Sequence, residues 1–123
     1  MLFRSATQTH SYIEAGDHYQ RAAQRILWRA DLYQLAASAY YQAKEYSKAD
    51  AAYQQAWQRH ALDADGWVAW GDVNYLNHDP ARAAEIWKQG LGHAHASERL
   101  YARLAQIYQE QKDRKSTRLN SSH

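Results

Sequence analysis

The chain has no cysteine, one proline and one phenylalanine. Lack of cysteine excludes disulfides and thiolate metal sites. No apolar run approaches the roughly 20 residues of a membrane-spanning helix. The opening stretch, MLFRSATQTHSY, lacks a basic segment followed by a long apolar one, so it does not read as a signal peptide. That slightly favours a cytoplasmic setting. Neither sign of charge dominates. The formal net charge is +2. Arg114, Lys115 and Arg118 against Asp113 account for it, so residues 1–112 balance at zero. A balanced chain gives no electrostatic reason to expect nucleic acid or a membrane surface as partner.

What is abundant is aromatic and helical. Ten Tyr and five Trp accompany 46% apolar residues. Sliding the chain on itself by 34 residues aligns Tyr33, Trp67 and Tyr101. Ala36, Trp70 and Leu104 share a column, as do Ala37, Gly71 and Ala105, and then Tyr40, Asn74 and Tyr108. A second set aligns Ala15, Ala49 and Ala83, then Tyr19, Tyr53 and Trp87, then Ala22, Ala56 and Gly90, and also Tyr12, Tyr46 and Pro80. Agreement in so many columns marks an internal repeat.

Spacing within each unit is helical. Tyr33, Ala36, Ala37 and Tyr40 recur at three and four residues and make one helix face. Ala49, Tyr53, Ala56 and Trp57 do the same on a second helix. The linkers AKEY and NHDP are short enough to force antiparallel neighbours. Ser11 with Glu14 fits a capping box, Ser47 and Ser97 are good N-caps, and Asp79-Pro80 supplies a cap followed by proline at the first helical position. Helices are expected near 11–27, 30–43, 46–60, 64–77, 80–92 and 98–112. Small Ala or Gly in one column lets helix axes approach, and aromatics on the neighbouring helix fill the space, each contributing about 2–3 kcal/mol when fully buried.

These residues resemble the tetratricopeptide repeat family, with its pattern W-x2-L-G-x2-Y, then A-x3-F, then P. WVAWGDVNY (Trp67 to Tyr75) carries Trp67, Trp70 and Gly71 in the first three slots, and YQLAASAY (Tyr33 to Tyr40) has Ala in the Gly slot. ADAAY (Ala49 to Tyr53) and AAEIW (Ala83 to Trp87) fill A-x3-F with another aromatic. Asn74 replaces the usual Tyr, and Leu27, Ala61 and His95 stand where the closing proline would be. The resemblance covers about residues 12–112. It implies an all-α fold, a right-handed α-solenoid of antiparallel helix pairs with about six helices. The expected organisation is an uncertain N-terminal segment (1–10), the second helix of a partial repeat (11–29), whole repeats (30–63 and 64–97), and the first helix of a truncated repeat (98–112). Residues 113–123, DRKSTRLNSSH, resemble the in-frame translation of an adapter ligated to DNA fragments for sequencing. They are expected to be a non-native, disordered tail, and the chain a fragment of a larger protein.

The resemblance implies a protein or peptide ligand on a concave face lined by the first helix of each unit. That face would carry Asp31, Gln34, Ser38, Tyr41 and Gln42, then Asp65, Val68, Asp72, Tyr75 and Leu76, then Arg99, Ala102, Gln106, Gln109 and Glu110. The binding residues expected are Gln34, Ser38, Tyr41, Gln42, Val68, Asp72, Tyr75, Gln106 and Gln109. Tyr41 and Tyr75 lie one repeat apart; they make either an aromatic ladder for a peptide or plain repeat packing. One subtype of the family grips a C-terminal carboxylate with basic residues. The matching positions, Gln34, Ser38, Val68, Asp72, Ala102 and Gln106, hold no base. Asp31, Asp65 and Asp72 favour a basic or neutral ligand instead, unless the first two only complement helix N-termini.

Other chemistry has little support. His93-x-His95 with His60 or His78 is a weak metal pattern, and no cofactor is expected. No phosphate-binding loop, nucleophile elbow or zinc-protease motif occurs, so no catalytic residue is assigned and an enzyme is not expected. The tryptophans fall mostly in repeat columns and read as core, with Trp28 in LWRAD the exception. RNA is disfavoured by a neutral chain with acidic groove positions. The alternative to a binding module is a structural spacer or oligomerisation segment, self-associating through the uncapped face of helix 98–112.

Overall fold

A computed structural model describes residues 6–93 and 97–121, with side chains described for 7–93 and 98–115. Among the described residues the chain is all-helical, with six helices and no strands: α1 (Ala6–Arg25), α2 (Asp31–Gln42), α3 (Tyr46–Gln58), α4 (Ala64–Leu76), α5 (Pro80–Leu91) and α6 (Ser97–Ser121). Each helix packs against its neighbours in sequence, and α2 also reaches α4.

Three of the turns are built alike. After α2, the Lys44 N–H donates to the Tyr41 carbonyl (2.9 Å) and the Glu45 N–H to that of Tyr40 (2.9 Å). After α3, His60 donates to Trp57 and Ala61 to Ala56; after α4, His78 donates to Tyr75 and Asp79 to Asn74. This nested pair of bonds satisfies the last helical carbonyls and requires a left-handed residue. Lys44, His60 and His78 take that conformation, with φ of 62°, 56° and 66°. None is glycine, so each bears a Cβ penalty.

The caps divide. Asp79 accepts from the Arg82 N–H (3.2 Å) with Pro80 following it, as its sequence suggests. Ser11 does not start a helix, because α1 already begins at Ala6 and no proline or glycine interrupts it before Gly16. Ser47 is likewise inside α3, whose N-cap position is Glu45 without a side-chain cap bond. The turn that ends α2 at Glu45 feeds directly into α3, whose Ala49 N–H returns to the Glu45 carbonyl (3.0 Å). The Ser97 side chain lies outside those described. Asp63, which the sequence pattern passed over, caps α4 by accepting from the Gly66 N–H (2.8 Å).

The C-terminal stretch corrects an expectation. Helix α6 does not stop at Lys112 but runs to Ser121, whereas a disordered segment was expected from Asp113. No proline or glycine follows Ser97, so each further residue adds a backbone bond to an existing helix. A Gln109–Asp113 side-chain bond (3.2 Å) spans the expected boundary.

The small columns act as spacing predicts. A Cβ at Gly71 would collide with the Trp87 indole, and one at Gly16 would lie 2.6 Å from the Tyr40 ring. Ala36, Ala37, Ala49, Ala52 and Ala83 are buried with Tyr53, Trp67, Trp70 and Trp87 in the main core. A second cluster joins Ala23, Leu32, Tyr33 and Ala56 across α1, α2 and α3. Asn74 serves a polar junction. Asp50 Oδ1 accepts from Trp70 Nε1 (2.7 Å), Asn74 Nδ2 (3.0 Å) and Arg82 Nη2 (3.1 Å), tying α3 to α4 and α5.

Candidate functional site

One cavity of about 210 Å³ collects side chains from four helices. Tyr41 comes from α2, Asp72, Tyr75 and Leu76 from α4, Trp87 from α5, and Arg103, Gln106 and Ile107 from α6. Its floor is apolar, since Trp87 and Ile107 are buried. Trp87 is held there by its indole N–H, which donates to the Val68 carbonyl (3.1 Å). That contact needs the bare backbone of Gly71.

The rim is polar and internally paired. Arg103 donates to both Asp72 oxygens, from Nε (2.7 Å) and Nη2 (3.2 Å). This two-pronged bond raises the guanidinium pKa, and Arg103 stays charged. Burial pushes the Tyr41 phenol up, and the nearby Asp72 carboxylate adds to it. The Tyr41 ring is also fixed edge-on by Tyr46 at 6.2 Å. On the other side the Tyr75 hydroxyl donates to Glu110 Oε1 (2.7 Å), which raises its pKa. Gln106 Nε2 donates to the same oxygen (3.3 Å).

Of the residues expected on this face, Tyr41, Asp72, Tyr75, Leu76 and Gln106 come together in the cavity. Val68 does not present its side chain. It is 4% exposed and belongs to the main core cluster. Gln34 is used structurally: its amide donates to Asp63 Oδ1 (2.9 Å) and accepts from the Asp63 N–H (3.1 Å), clamping the loop before α4. Ser38 and Gln42 are exposed and lie outside the cavity lining. Gln109 is also exposed and bonds Asp113.

The acidic groove expected from Asp31, Asp65 and Asp72 is neutralised. Asp31 pairs with Arg29, Asp65 with Arg99 and Asp72 with Arg103. Arg29 holds the Asp31 carboxyl below its usual range. The arginine of two of these pairs sits on α6, more than 30 positions from its partner, a distance that only tertiary structure closes. Arg103 and Ile107 had no periodic signal of their own as ligand contacts. Trp87 had one, but as a core column.

Among the described residues no three His, Cys, Asp or Glu side chains could hold a metal ion. His95 lies outside them. His93 instead stacks on Trp67 (5.9 Å, 13° between planes) and lies 4.8 Å from Trp57. Trp28, the tryptophan outside the repeat columns, sits in the α1–α2 turn and is 85% exposed. Among the described residues no helix is long and apolar enough to cross a membrane. Comparison with known families finds no matching family model, and comparison with curated proteins finds no match.

Proposed function

We propose that the chain is a tetratricopeptide-type right-handed solenoid of antiparallel helix pairs, and that its concave face holds a protein segment or peptide. The observation that carries this is the convergence of α2, α4 and α6, the first helices of successive units, on one apolar-floored cavity with a polar rim. Its volume supports a peptide side chain as the ligand group. Small-molecule sites run from about 300 Å³ upward, whereas about 210 Å³ admits one apolar side chain. A peptide anchored by that side chain would run along the rim. There Arg103, with two N–H groups on Asp72, has others to offer to a peptide carbonyl. With the groove acids paired, the ligand is neutral around its anchor rather than basic.

The test is selection of peptides from a random library against the whole chain, followed by titration against two variants. Leu76→Glu places a charge at the cavity edge, and Tyr41→Ala removes one wall. Both should weaken the selected peptides by tenfold or so while helicity by circular dichroism is retained. Peptides that bind both variants as well as the parent would remove this face from consideration. A spacer or oligomerisation role draws on a different observation, the exposed aromatics of α6.

A further inference from the structure

Helices α1 and α3 meet through a pair of side-chain amides: Gln20 Nε2 donates to Gln55 Oε1 (3.2 Å). The positions 34 residues further on hold Gln54 on α3 and Gln89 on α5. That second pair of amides is not bonded. Both instead line a cavity of about 320 Å³, which shares no residue with the groove described above. The residues beneath account for the difference. Where the first place has Ala23, Ala36 and Ala52, the second has Trp57, Trp70 and Ile86. All three of the larger residues line the cavity. Their volume holds the facing amides apart, whereas the alanines let theirs meet.

The floor is apolar and fixed. Trp70 and Ile86 are buried, and the Trp70 indole N–H is tied to Asp50 Oδ1 (2.7 Å). Trp57 is half-buried and is braced edge-on by Trp67 at 4.9 Å. The rim is polar and uncommitted. Among the described residues, the side chains of Gln54, Gln58, Glu85 and Gln89 have no hydrogen-bond partner. Arg82 gives Nη2 to Asp50 Oδ1 (3.1 Å), while its Nε is buried without a partner. A buried donor left unmet costs about 1–3 kcal/mol, and this one belongs to a side chain that lines the cavity. The cavity beside Gln20 is different in kind, since Gln20 is held by Gln55 and the Tyr40 hydroxyl by Asp17.

We propose that the α3–α5 cavity binds a neutral sugar, as the free molecule or as the end residue of a glycan. Its volume of about 320 Å³ reaches the range of small-molecule sites, which begins at about 300 Å³. Arg82 and Glu85 offset each other, so the lining selects neither sign of charge. Each glutamine amide offers two N–H groups and a carbonyl, Glu85 accepts, and Arg82 donates from Nη1. A hydroxyl gives one proton and accepts two, so it meets amide, carboxylate and guanidinium alike. A sugar ring carries such hydroxyls around its edge and C–H groups on its faces. The rim takes the first, and the indole of Trp57 takes the second. This site does not depend on the peptide groove, and either reading can fail without the other.

The experiment is saturation-transfer NMR with tryptophan emission on the whole chain. The probes are neutral hexoses, pentoses, N-acetylhexosamines and hexitols, the methyl glycosides of the sugars, and a hexose phosphate as the charged member. At least one neutral sugar should bind with a Kd of about 1 mM or below. It should receive saturation at its ring C–H protons and shift the emission. Gln54→Ala and Gln89→Ala combined in one chain should weaken that sugar by about tenfold. Both positions are exposed, and circular dichroism verifies that the variant stays helical. Gln20→Ala, the column-mate of Gln54 outside the cavity, should leave sugar binding unchanged. A methyl glycoside that binds as tightly as its parent sugar identifies a glycan end as the ligand. One that does not bind identifies the free sugar. If no neutral probe binds at about 10 mM, the proposal is overturned. Binding of the hexose phosphate alone overturns it as well, and so does a sugar that binds the double variant as tightly as the parent.

Discussion

The indole of Trp87 occupies the volume that any side chain at position 71 would need, and its N–H donates to the Val68 carbonyl of the same helix as Gly71. Gly71 is therefore a packing residue, and its φ is not in the left-handed region. Gly71→Ala gains about 1 kcal/mol of helix propensity. It also forces the buried Trp87 aside, at a cost of about 1–3 kcal/mol or more. We expect net destabilisation, read as a lower urea midpoint, and a perturbed tryptophan emission. Gly92→Ala is the contrast, since its new Cβ would meet only the Gln89 carbonyl oxygen at an ordinary 3.5 Å. That variant should match or exceed the parent.

His78 and Lys44 hold left-handed backbone with a Cβ that disfavours it. His78→Gly removes the penalty while keeping the turn bonds of His78 and Asp79. It should stabilise the chain by about 1 kcal/mol after the added entropy of the unfolded glycine is counted. Lys44→Gly should act alike, and the two should add because the sites lie in separate turns. Thermal midpoints of the single and double variants measure this. A fall in midpoint for His78→Gly would show that the His78 side chain stabilises the turn by more than its backbone strain costs.

Asp50 Oδ1 serves three donors from two other helices. Asp50→Ala leaves the Trp70 indole N–H without its acceptor and the buried Asn74 amide with only the Trp70 carbonyl (3.1 Å). The expected cost is about 2–4 kcal/mol, from leaving buried donors unsatisfied. Asp50→Asn keeps an acceptor and should cost less. If the network is coupled, Asp50→Ala combined with Asn74→Ala should cost less than the sum of the two, as measured by a double-mutant cycle.

Tyr40 and Tyr53 both resist ionisation. Burial raises each phenol, and for Tyr40 the Asp17 carboxylate, which accepts a hydrogen bond from its hydroxyl (2.5 Å), raises it further. Folded values above the ordinary 10 mean that the fold favours the protonated phenols. Their contribution is complete below about pH 10. Above it the unfolded chain ionises first, and stability falls as pH rises. Phenolate absorbance should therefore appear in two stages, with Tyr40 and Tyr53 titrating together with alkaline unfolding. Tyr40→Phe should remove part of the alkaline loss.

The extent to which the sequence could be read follows from which forces are local. The helices and most of their limits could be read from the three-and-four spacing of apolar residues. The spacing columns could be read too, because a small residue beside an aromatic is a rule of volume; that Gly71 is the one that meets Trp87 was set by the packing. Caps were read less well. Ser11 and Ser47 have the right chemistry for N-caps, but an unbroken helix from Ala6 and the turn bond at Glu45 pre-empted them. The helical continuation to Ser121 was missed, since a lapse in apolar period does not end a helix that nothing breaks.

The groove was half legible. Period and resemblance placed Tyr41, Asp72, Tyr75 and Gln106 on one face, and the structure gathers them into one cavity. Their charge state was not legible. Arg103 and Arg99 neutralise Asp72 and Asp65 across more than 30 residues of chain, and nothing in local pattern encodes which acid meets which base. The sequence by itself determined the helices, their amphipathic faces and the repeat columns, because those depend on backbone geometry and side-chain volume at short range. Tertiary structure alone decided that Val68 turns inward, that Gln34 clamps a loop, and that the groove acids are paired. Those depend on which helices come to lie side by side, and that is settled only when the whole set packs together.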